Sequence, residues 1–275
     1  MSVHRLPDGR DLTYDLVGAS GKPLFWLHGS PSGRGEAHVH RAAAERLGWA
    51  LCAVDRPGMG GSTRADVPGL AAFAGDLAHL ADALGWQRFV VAGASGGGPY
   101  ALAVAARLPA RVRHAVLLAG AGQMEEARDA AGWVDRMTSV LLERAPGLIA
   151  AWLHTVRAMA WVGAGLPGRL GALARVPRDA LRPGVAGALD DLRVLHRPWD
   201  VDLGTIAVPV TLVQGTRDAF VPLRHAERLA AAIPRSKLVR RPGEGHLRVC
   251  FDLEGALAAA GLQRAEARSA MVQPP

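Results

Sequence analysis

The sequence has little cysteine, little lysine and no long apolar run. Its only cysteines are Cys52 and Cys250, and both lie in apolar segments, as buried free thiols commonly do, which argues against a structural disulfide. No segment approaches the roughly 18 apolar residues that a membrane span needs, and the first ten residues do not resemble a signal peptide. These absences predict a soluble, cytoplasmic protein.

The positive charge comes almost entirely from arginine. Of 32 basic residues only Lys22 and Lys237 are lysines, and the net charge of +7 is scattered along the chain without a basic tail or stripe. We therefore expect that the protein does not bind nucleic acid. The segment Gly58–Gly61 lacks the strand-adjacent G-x-G-x-x-G frame of a dinucleotide site, and no metal-ligand cluster stands out. We expect no metal or cofactor, a small-molecule substrate, no membrane partner, and a monomer or homodimer.

Short apolar runs alternate with longer amphipathic stretches. Because parallel strands need crossovers of this length, the pattern predicts an α/β fold with a mostly parallel sheet and helices on both faces. The strands are expected at 12–17, 24–28, 50–54, 88–92, 115–119, 208–214 and 237–240, and the first helices at 36–47, 67–84 and 97–108.

The alternation stops for about ninety residues after 115–119. The interruption predicts a core of residues 1–121 and 203–265, a helical cap insertion at 122–202 and a flexible tail at 266–275. Prolines within the insertion are expected to separate its helices. They are Pro146, Pro167, Pro177 and Pro183. Apolar side chains of the insertion either cover a substrate pocket or pack the insertion onto the core, and the candidates for the pocket are Trp133, Trp152, Trp161 and Met137.

Gly93-Ala94-Ser95-Gly96-Gly97 fits the pattern G-x-S-x-G. The segment before it reads as a buried strand and the segment after it as a helix, which is the setting of a nucleophile elbow. A serine on such a turn is held with its hydroxyl exposed, and glycine neighbours let strand and helix approach. A phosphate-binding loop is the alternative, but the lysine of such a loop is missing. Ser95 is the predicted nucleophile.

A serine nucleophile also needs N–H donors for the oxyanion that forms on the carbonyl. The backbone N–H of Gly96 is one candidate.

The run His28-Gly29-Ser30-Pro31 and the run 55–62, Asp-Arg-Pro-Gly-Met-Gly-Gly-Ser, make the sequence resemble the α/β-hydrolase family. The resemblance covers nearly the whole chain outside the insertion. It implies an eight-stranded sheet, a chiefly structural role for 55–62 and for His28, and Ser30 N–H as the second oxyanion donor. Many relatives carry a bulkier apolar residue at Ser30, so the pocket wall is expected to be smaller and more polar.

The base and its orienting acid are expected after the nucleophile in the order acid, then histidine. His246 lies in a late glycine-bracketed loop that matches the family, and Asp218 follows the strand at 208–214. Glu244 is a less favoured acid, and after the sixth strand Gly120-Ala121-Gly122 offers no carboxylate. The other histidines considered are expected on helix surfaces or within the insertion; they are His154, His196 and His225.

The predicted function is that of a carboxylesterase-like serine hydrolase, acting on a small or medium apolar ester through an acyl-enzyme. Amide or carbon–carbon bond hydrolysis, as in an enzyme that trims N-terminal proline, remains an alternative. Acidic residues of the insertion would then bind an ammonium group or simply be solvated, and these are Glu125, Glu126, Asp190 and Asp191. A non-catalytic receptor or scaffold on the same fold is a third hypothesis.

Overall fold

A computed structural model describes residues 1–18, 21–66, 69–123 and 133–263, and the statements below refer to these residues. Eight strands form one sheet in the order β1-β2-β4-β3-β5-β6-β7-β8. The strands are β1 Ser2–Arg5, β2 Asp11–Gly18, β3 Lys22–Leu27, β4 Trp49–Val54, β5 Phe89–Ala94, β6 Val112–Leu118, β7 Val210–Gly215 and β8 Ser236–Arg241.

The sheet is parallel from β4 to β8, and β1 and β2 pair antiparallel at one edge. This confirms the predicted fold class. The central strand β5 is buried along its whole length, as expected for a parallel strand covered on both faces. The short edge strand β1 was not predicted, because its exposed residues lack an apolar signal.

Ten α-helices accompany these strands in the described residues. They are α1 Arg41–Leu47, α2 Leu70–Ala83, α3 Gly97–Arg107, α4 Trp133–Arg144, α5 Pro146–Gly163, α6 Gly168–Ala180, α7 Ala186–His196, α8 Leu223–Ala232, α9 His246–Cys250 and α10 Leu253–Ala259. Short 3-10 helices occupy Arg34–His40 and Leu203–Thr205.

The core consists of an apolar cluster on each face of the sheet. Phe25 and Leu27 of β3 point into one cluster, and Leu24 and Trp26 point into the other, because successive strand residues face opposite sides. Helices α2, α3 and α8 contribute to the first cluster, and α1, α9 and α10 to the second. The loops that follow the carboxyl ends of the parallel strands lie at one edge of this layered sheet.

Between β6 and β7 the described chain forms four helices, α4 to α7, which we call the four-helix insertion. Ile149, Leu153, Leu181 and Leu192 belong to a separate apolar cluster formed by its helices and the turn before α7. The expectation that Pro177 breaks a helix is wrong, because it lies inside α6, near the C-terminal end. None of the described helices is long and apolar enough to cross a membrane.

Candidate active site

Ser95 occupies the sharp turn between β5 and α3. Its φ of 50° lies in the left-handed region that a serine rarely adopts, which is the strained backbone expected at a nucleophile elbow. A Cβ at Gly93 would lie 2.3 Å from the carbonyl oxygen of Gly97, and one at Gly97 would lie 2.1 Å from that of Leu27. Both positions therefore require glycine.

Backbone hydrogen bonds fix this turn to the neighbouring strand. The Ser95 N–H donates to the carbonyl of Leu118 at 3.0 Å, at the end of β6. The Ser95 carbonyl accepts from the N–H groups of Gly98, at 3.0 Å, and Ala121, at 3.1 Å. The side chain at this position is thus presented by a backbone that is held on both sides.

His246 and Asp218 come together beside the same end of the sheet. The Nδ1 of His246 lies 2.7 Å from Oδ2 of Asp218, and Gln214 donates to the same oxygen at 2.9 Å. The other carboxylate oxygen accepts from the N–H groups of Phe220, at 2.9 Å, and Val221, at 2.8 Å. Because Asp218 is an acceptor held by three further donors, His246 carries its proton on Nδ1 and leaves Nε2 as an acceptor.

The loop after β3 lies against the elbow. A Cβ built at Gly96 would meet Ser30 Oγ at 2.6 Å, so the two residues expected to supply oxyanion donors are neighbours. The Gly29 N–H donates to the carboxyl group of Glu36 at 3.2 Å, and the indole N–H of Trp26 donates to it at the same distance. Burial raises the pKa of Glu36, although these hydrogen bonds oppose the shift.

A cavity of about 500 Å³ contains Ser95 and His246 in its wall. Most of the wall is apolar, and Trp152, Leu173, Val176 and Leu192 of the four-helix insertion form part of it. This volume suits a small to medium ligand.

Only one of the four predicted pocket residues lines this cavity among the described side chains. Trp152 does so, whereas Trp161 and Met137 are each 52% exposed and lie outside the wall. The physical reason is helical geometry, because Trp161 lies nine residues after Trp152 and therefore on the opposite face of α5. Trp133 begins α4, and its side chain lies outside the described part of the chain.

The other histidines fall into different environments. His28 is fully buried, with Nδ1 at 2.7 Å from the Gly29 carbonyl and Nε2 accepting from the Arg56 N–H at 3.3 Å. Burial, reinforced by the charge of Arg56, lowers the pKa of His28 to about 3, so it is a neutral structural residue. His154 is exposed on α5, as expected. His196 lines the cavity, and His225 is buried rather than on a helix surface as predicted.

The segment 55–62 makes hydrogen bonds that stabilise the loops around the site. Asp55 accepts hydrogen bonds from the N–H groups of Arg34, at 2.8 Å, and Gly61, at 3.1 Å, and it is buried. Ser62 Oγ donates to the Asp55 carbonyl at 2.8 Å and accepts from the N–H of Thr13 at 2.9 Å. These contacts are structural in kind.

Arg56 and Asp191 form a buried ion pair that the sequence did not reveal. Arg56 Nε donates to Asp191 Oδ1 and Nη2 donates to Oδ2, both at 2.8 Å. The expectation that Asp191 is solvated or binds an ammonium group is wrong, because its carboxylate is buried and used by the protein. Asp190 is also mostly buried and pairs with Arg64 and Arg193. Glu125 and Glu126 lie outside the described residues.

The chain matches the sequence profile of the alpha/beta hydrolase fold over residues 22–251. It belongs to the α/β-hydrolase fold family. A pimeloyl-[acyl-carrier protein] methyl ester esterase of Neisseria meningitidis is 29% identical over 79% of this chain and 84% of its own length. An α/β-hydrolase fold protein of Nakamurella multipartita is 27% identical, with a TM-score of 0.67 over 95% of this chain and 99% of its own.

The fold of an esterase from Exiguobacterium antarcticum is also similar, with a TM-score of 0.73 over 95% of this chain and 97% of that one, at 20% identity. Membership of the α/β-hydrolase family, together with relatives of esterase type, supports a hydrolase in general. In the described part of the chain, no three His, Cys, Asp or Glu side chains are grouped as metal ligands.

Proposed function

We propose that the protein is a serine hydrolase that cleaves carboxylic esters of small or medium apolar substrates. The observation that carries the proposal is the strained Ser95, which shares the wall of one largely apolar cavity with His246, itself paired with Asp218. Serine is a poor nucleophile at its ordinary pKa, and a neighbouring base removes this limit. The three residues supply a nucleophile, a base and an orienting acid.

In the proposed mechanism the Ser95 hydroxyl attacks the ester carbonyl carbon while His246 Nε2 takes its proton. The protonated histidine returns that proton to the leaving alcohol, and an acyl group remains on Ser95. Water then repeats the attack with the same base, which releases the acid. Asp218 keeps Nδ1 of His246 protonated and stabilises the imidazolium at each step.

The N–H groups of Ser30 and Gly96 are proposed to hold the negative charge that develops on the carbonyl oxygen. Loss of one such donor typically costs about 2.7 to 4 kcal/mol of transition-state stabilisation. Burial raises the pKa of the Glu36 carboxyl group in the cavity wall, although its hydrogen bonds oppose the shift.

An aminopeptidase that trims N-terminal proline would need a carboxylate available to an ammonium group. Asp191 is engaged with Arg56, and Asp190 with Arg64 and Arg193, so neither is available for this purpose. The two acidic residues that the structure describes among those suggested for this role therefore do not support the aminopeptidase alternative, and the largely apolar cavity wall supports an ester substrate.

The proposal is tested with a fluorophosphonate probe and a series of nitrophenyl esters of increasing chain length. We expect covalent labelling and ester turnover by the wild type and neither by Ser95→Ala. Equal labelling of both proteins would refute a serine nucleophile, as a non-catalytic scaffold predicts. Turnover of proline-nitroanilide without any ester turnover would assign the amide alternative instead.

A further inference from the structure

Asp191 of α7 lies at the centre of a buried hydrogen-bond network that reaches the loop after β3. Its Oδ1 accepts from Arg56 Nε and from the hydroxyl of Tyr100, both at 2.8 Å. Its Oδ2 accepts from Arg56 Nη2 at 2.8 Å and, in a shorter contact, from Ser30 Oγ. Four donors therefore occupy one carboxylate, which leaves it no capacity for solvent or substrate.

Arg56 holds the same loop from the other side. Its Nη1 donates to the His28 carbonyl, and its Nη2, whose two hydrogens are shared among three acceptors, also lies 3.0 Å from the Gly29 carbonyl oxygen and 2.8 Å from Ser30 Oγ. The guanidinium also lies over the ring of Tyr100, with 4.7 Å between its central carbon and the ring centroid. Three consecutive loop residues, 28 to 30, are thus bound by one side chain.

The charge balance of this network depends on the four-helix insertion. The side chains of Arg56 and Asp191 are 1% and 3% exposed, so neither charge is stabilised by solvent. Burial alone would disfavour the Asp191 carboxylate, but the charge and hydrogen bonds of Arg56 outweigh it, and the pKa of Asp191 is lowered. Arg56, which comes from the core, therefore needs the carboxylate that α7 supplies.

The insertion also packs against the other side of the proposed oxyanion site. A Cβ at Gly96 would lie 3.0 Å from Cδ1 of Leu195, on the same helix as Asp191, and 2.6 Å from Ser30 Oγ. Helix α7 thus reaches both residues whose N–H groups are proposed as oxyanion donors. Contacts of this kind fix donor positions within the small tolerance that catalysis requires.

We propose that Asp191 is a positioning residue, through which α7 holds Arg56 and Ser30 so that the Ser30 N–H is correctly placed in the oxyanion hole. This inference rests on the proposed function, since it assigns a role within that site. Docking of α7 on the core would thereby complete the oxyanion hole as well as close the cavity. Asp191 touches no reacting atom in this scheme.

The test compares Asp191→Asn with Asp190→Asn, the adjacent carboxylate, which instead pairs with Arg64 and Arg193. With a nitrophenyl ester as substrate, we expect Asp191→Asn to lower kcat by about 100-fold or more, which approaches the loss of one oxyanion donor. KM should change by less than about threefold, because Asp191 itself does not line the cavity. Asp190→Asn should stay within about twofold of the wild type, because its partners Arg64 and Arg193 are 59% and 47% exposed and remain solvated without it.

A second readout reports on the oxyanion itself. A trifluoromethyl ketone forms a hemiketal with the nucleophile, and its oxygen occupies the oxyanion hole. Its inhibition constant should rise in Asp191→Asn by about the same factor as kcat falls, because both depend on the same donor. If the substitution only disturbed the insertion, KM would change, and the inhibition constant would not rise in proportion to the fall in kcat.

Two further variants cover the case in which Asp191→Asn does not fold, since it leaves the charge of Arg56 buried and unpaired. Ser30→Ala removes only the hydroxyl link, and kcat should fall about tenfold, which corresponds to about 1.4 kcal/mol for one hydrogen bond. Arg56→Met combined with Asp191→Leu removes both charges together, and a folded double variant should show the same large loss of kcat.

Wild-type-like kcat in Ser30→Ala and in the folded double variant would overturn the inference while leaving the serine hydrolase proposal intact. Failure of the wild type to react with the fluorophosphonate would instead overturn the proposed function. The two failures are therefore distinguishable with the same set of proteins.

Discussion

Replacement of Asp218 by asparagine tests the orientation of His246. Oδ2 of the aspartate faces His246 Nδ1 at 2.7 Å and Gln214 Nε2 at 2.9 Å, whereas Oδ1 faces the N–H groups of Phe220 and Val221. An asparagine must place its NH₂ group at one of these two positions. Every partner there is a donor in the native arrangement, so either choice has a cost.

An NH₂ group at the Oδ1 position would deprive two backbone donors of their acceptor, at about 1 to 3 kcal/mol each. At the Oδ2 position it would oppose only one fixed donor, Gln214, whose Nε2 also donates to the Val221 carbonyl at 2.8 Å. The second orientation is therefore preferred. The NH₂ group then donates to His246 Nδ1 and moves the histidine proton to Nε2, the atom that must accept the proton of Ser95.

We expect kcat for a nitrophenyl ester to fall by about 10⁴-fold in Asp218→Asn, or about 5.4 kcal/mol of transition-state stabilisation. The matched control is Glu244→Gln, the same change in the other acid near His246 in sequence. It should retain kcat within about twofold, since Glu244 makes no hydrogen bond to His246 among the described contacts. A large loss in Glu244→Gln, with Asp218→Asn active, would refute the assignment of the acid.

Three further predictions concern packing, pH and the cavity. Gly93→Ala should lower the free energy of unfolding by about 1 to 3 kcal/mol or more, because its Cβ would lie 2.3 Å from a backbone oxygen. Gly75→Ala in α2, where the new methyl group meets open space, should raise the free energy of unfolding by about 0.5 to 1 kcal/mol. Urea denaturation measures both changes. Burial lowers the pKa of His40 from 6.5 to about 4, so the unfolded chain binds its proton first and stability decreases as the pH falls from 6.5 to 4. In His40→Leu the slope of unfolding free energy against pH in this window should decrease by about 1.4 kcal/mol per pH unit, and an unchanged slope would contradict the reasoning. Trp152→Ala should raise KM for an apolar nitrophenyl ester by about tenfold, and Trp161→Ala by less than about twofold; equal effects would show that the helix faces are wrongly assigned.

The sequence predicted best what depends on local pattern and chain order. The apolar run before Ser95 was interpreted as a buried strand, which the structure confirms as β5, and the glycines around it indicated a turn that side chains would obstruct, as the structure shows at Gly93 and Gly97. Asp218 and His246 were predicted from their positions after strands together with the resemblance to the α/β-hydrolase family, and parallel strands bring their following loops to one edge of the sheet. Their hydrogen bond is a direct result of that topology.

The sequence predicted less well what depends on the packing of the insertion. Trp161 and Met137 have large apolar side chains, as pocket residues often do. Which face of a helix meets the core, however, depends on contacts with distant residues. Asp191 was misjudged for the same reason, because its partner Arg56 lies 135 positions earlier in the chain. The sequence did contain one signal, which is Arg56 within the glycine-rich motif 55–62. A charged side chain that is buried there requires a counter-ion.

The role of the Ser30 side chain depends on the residues that pack against it. A smaller residue at this position was expected to make the pocket wall more polar, but its hydroxyl donates to Asp191 and accepts from Arg56, so its hydrogen-bonding capacity is used within the protein. A bulky apolar side chain in its place would remove one donor to a buried carboxylate and would crowd Gly96, whose Cβ position already lies 2.6 Å from Ser30 Oγ. The serine is thus explained by the ion pair behind it. Because substrate gains no polar partner from Ser30 Oγ, the proposed preference for apolar esters should depend on the insertion side chains that line the cavity.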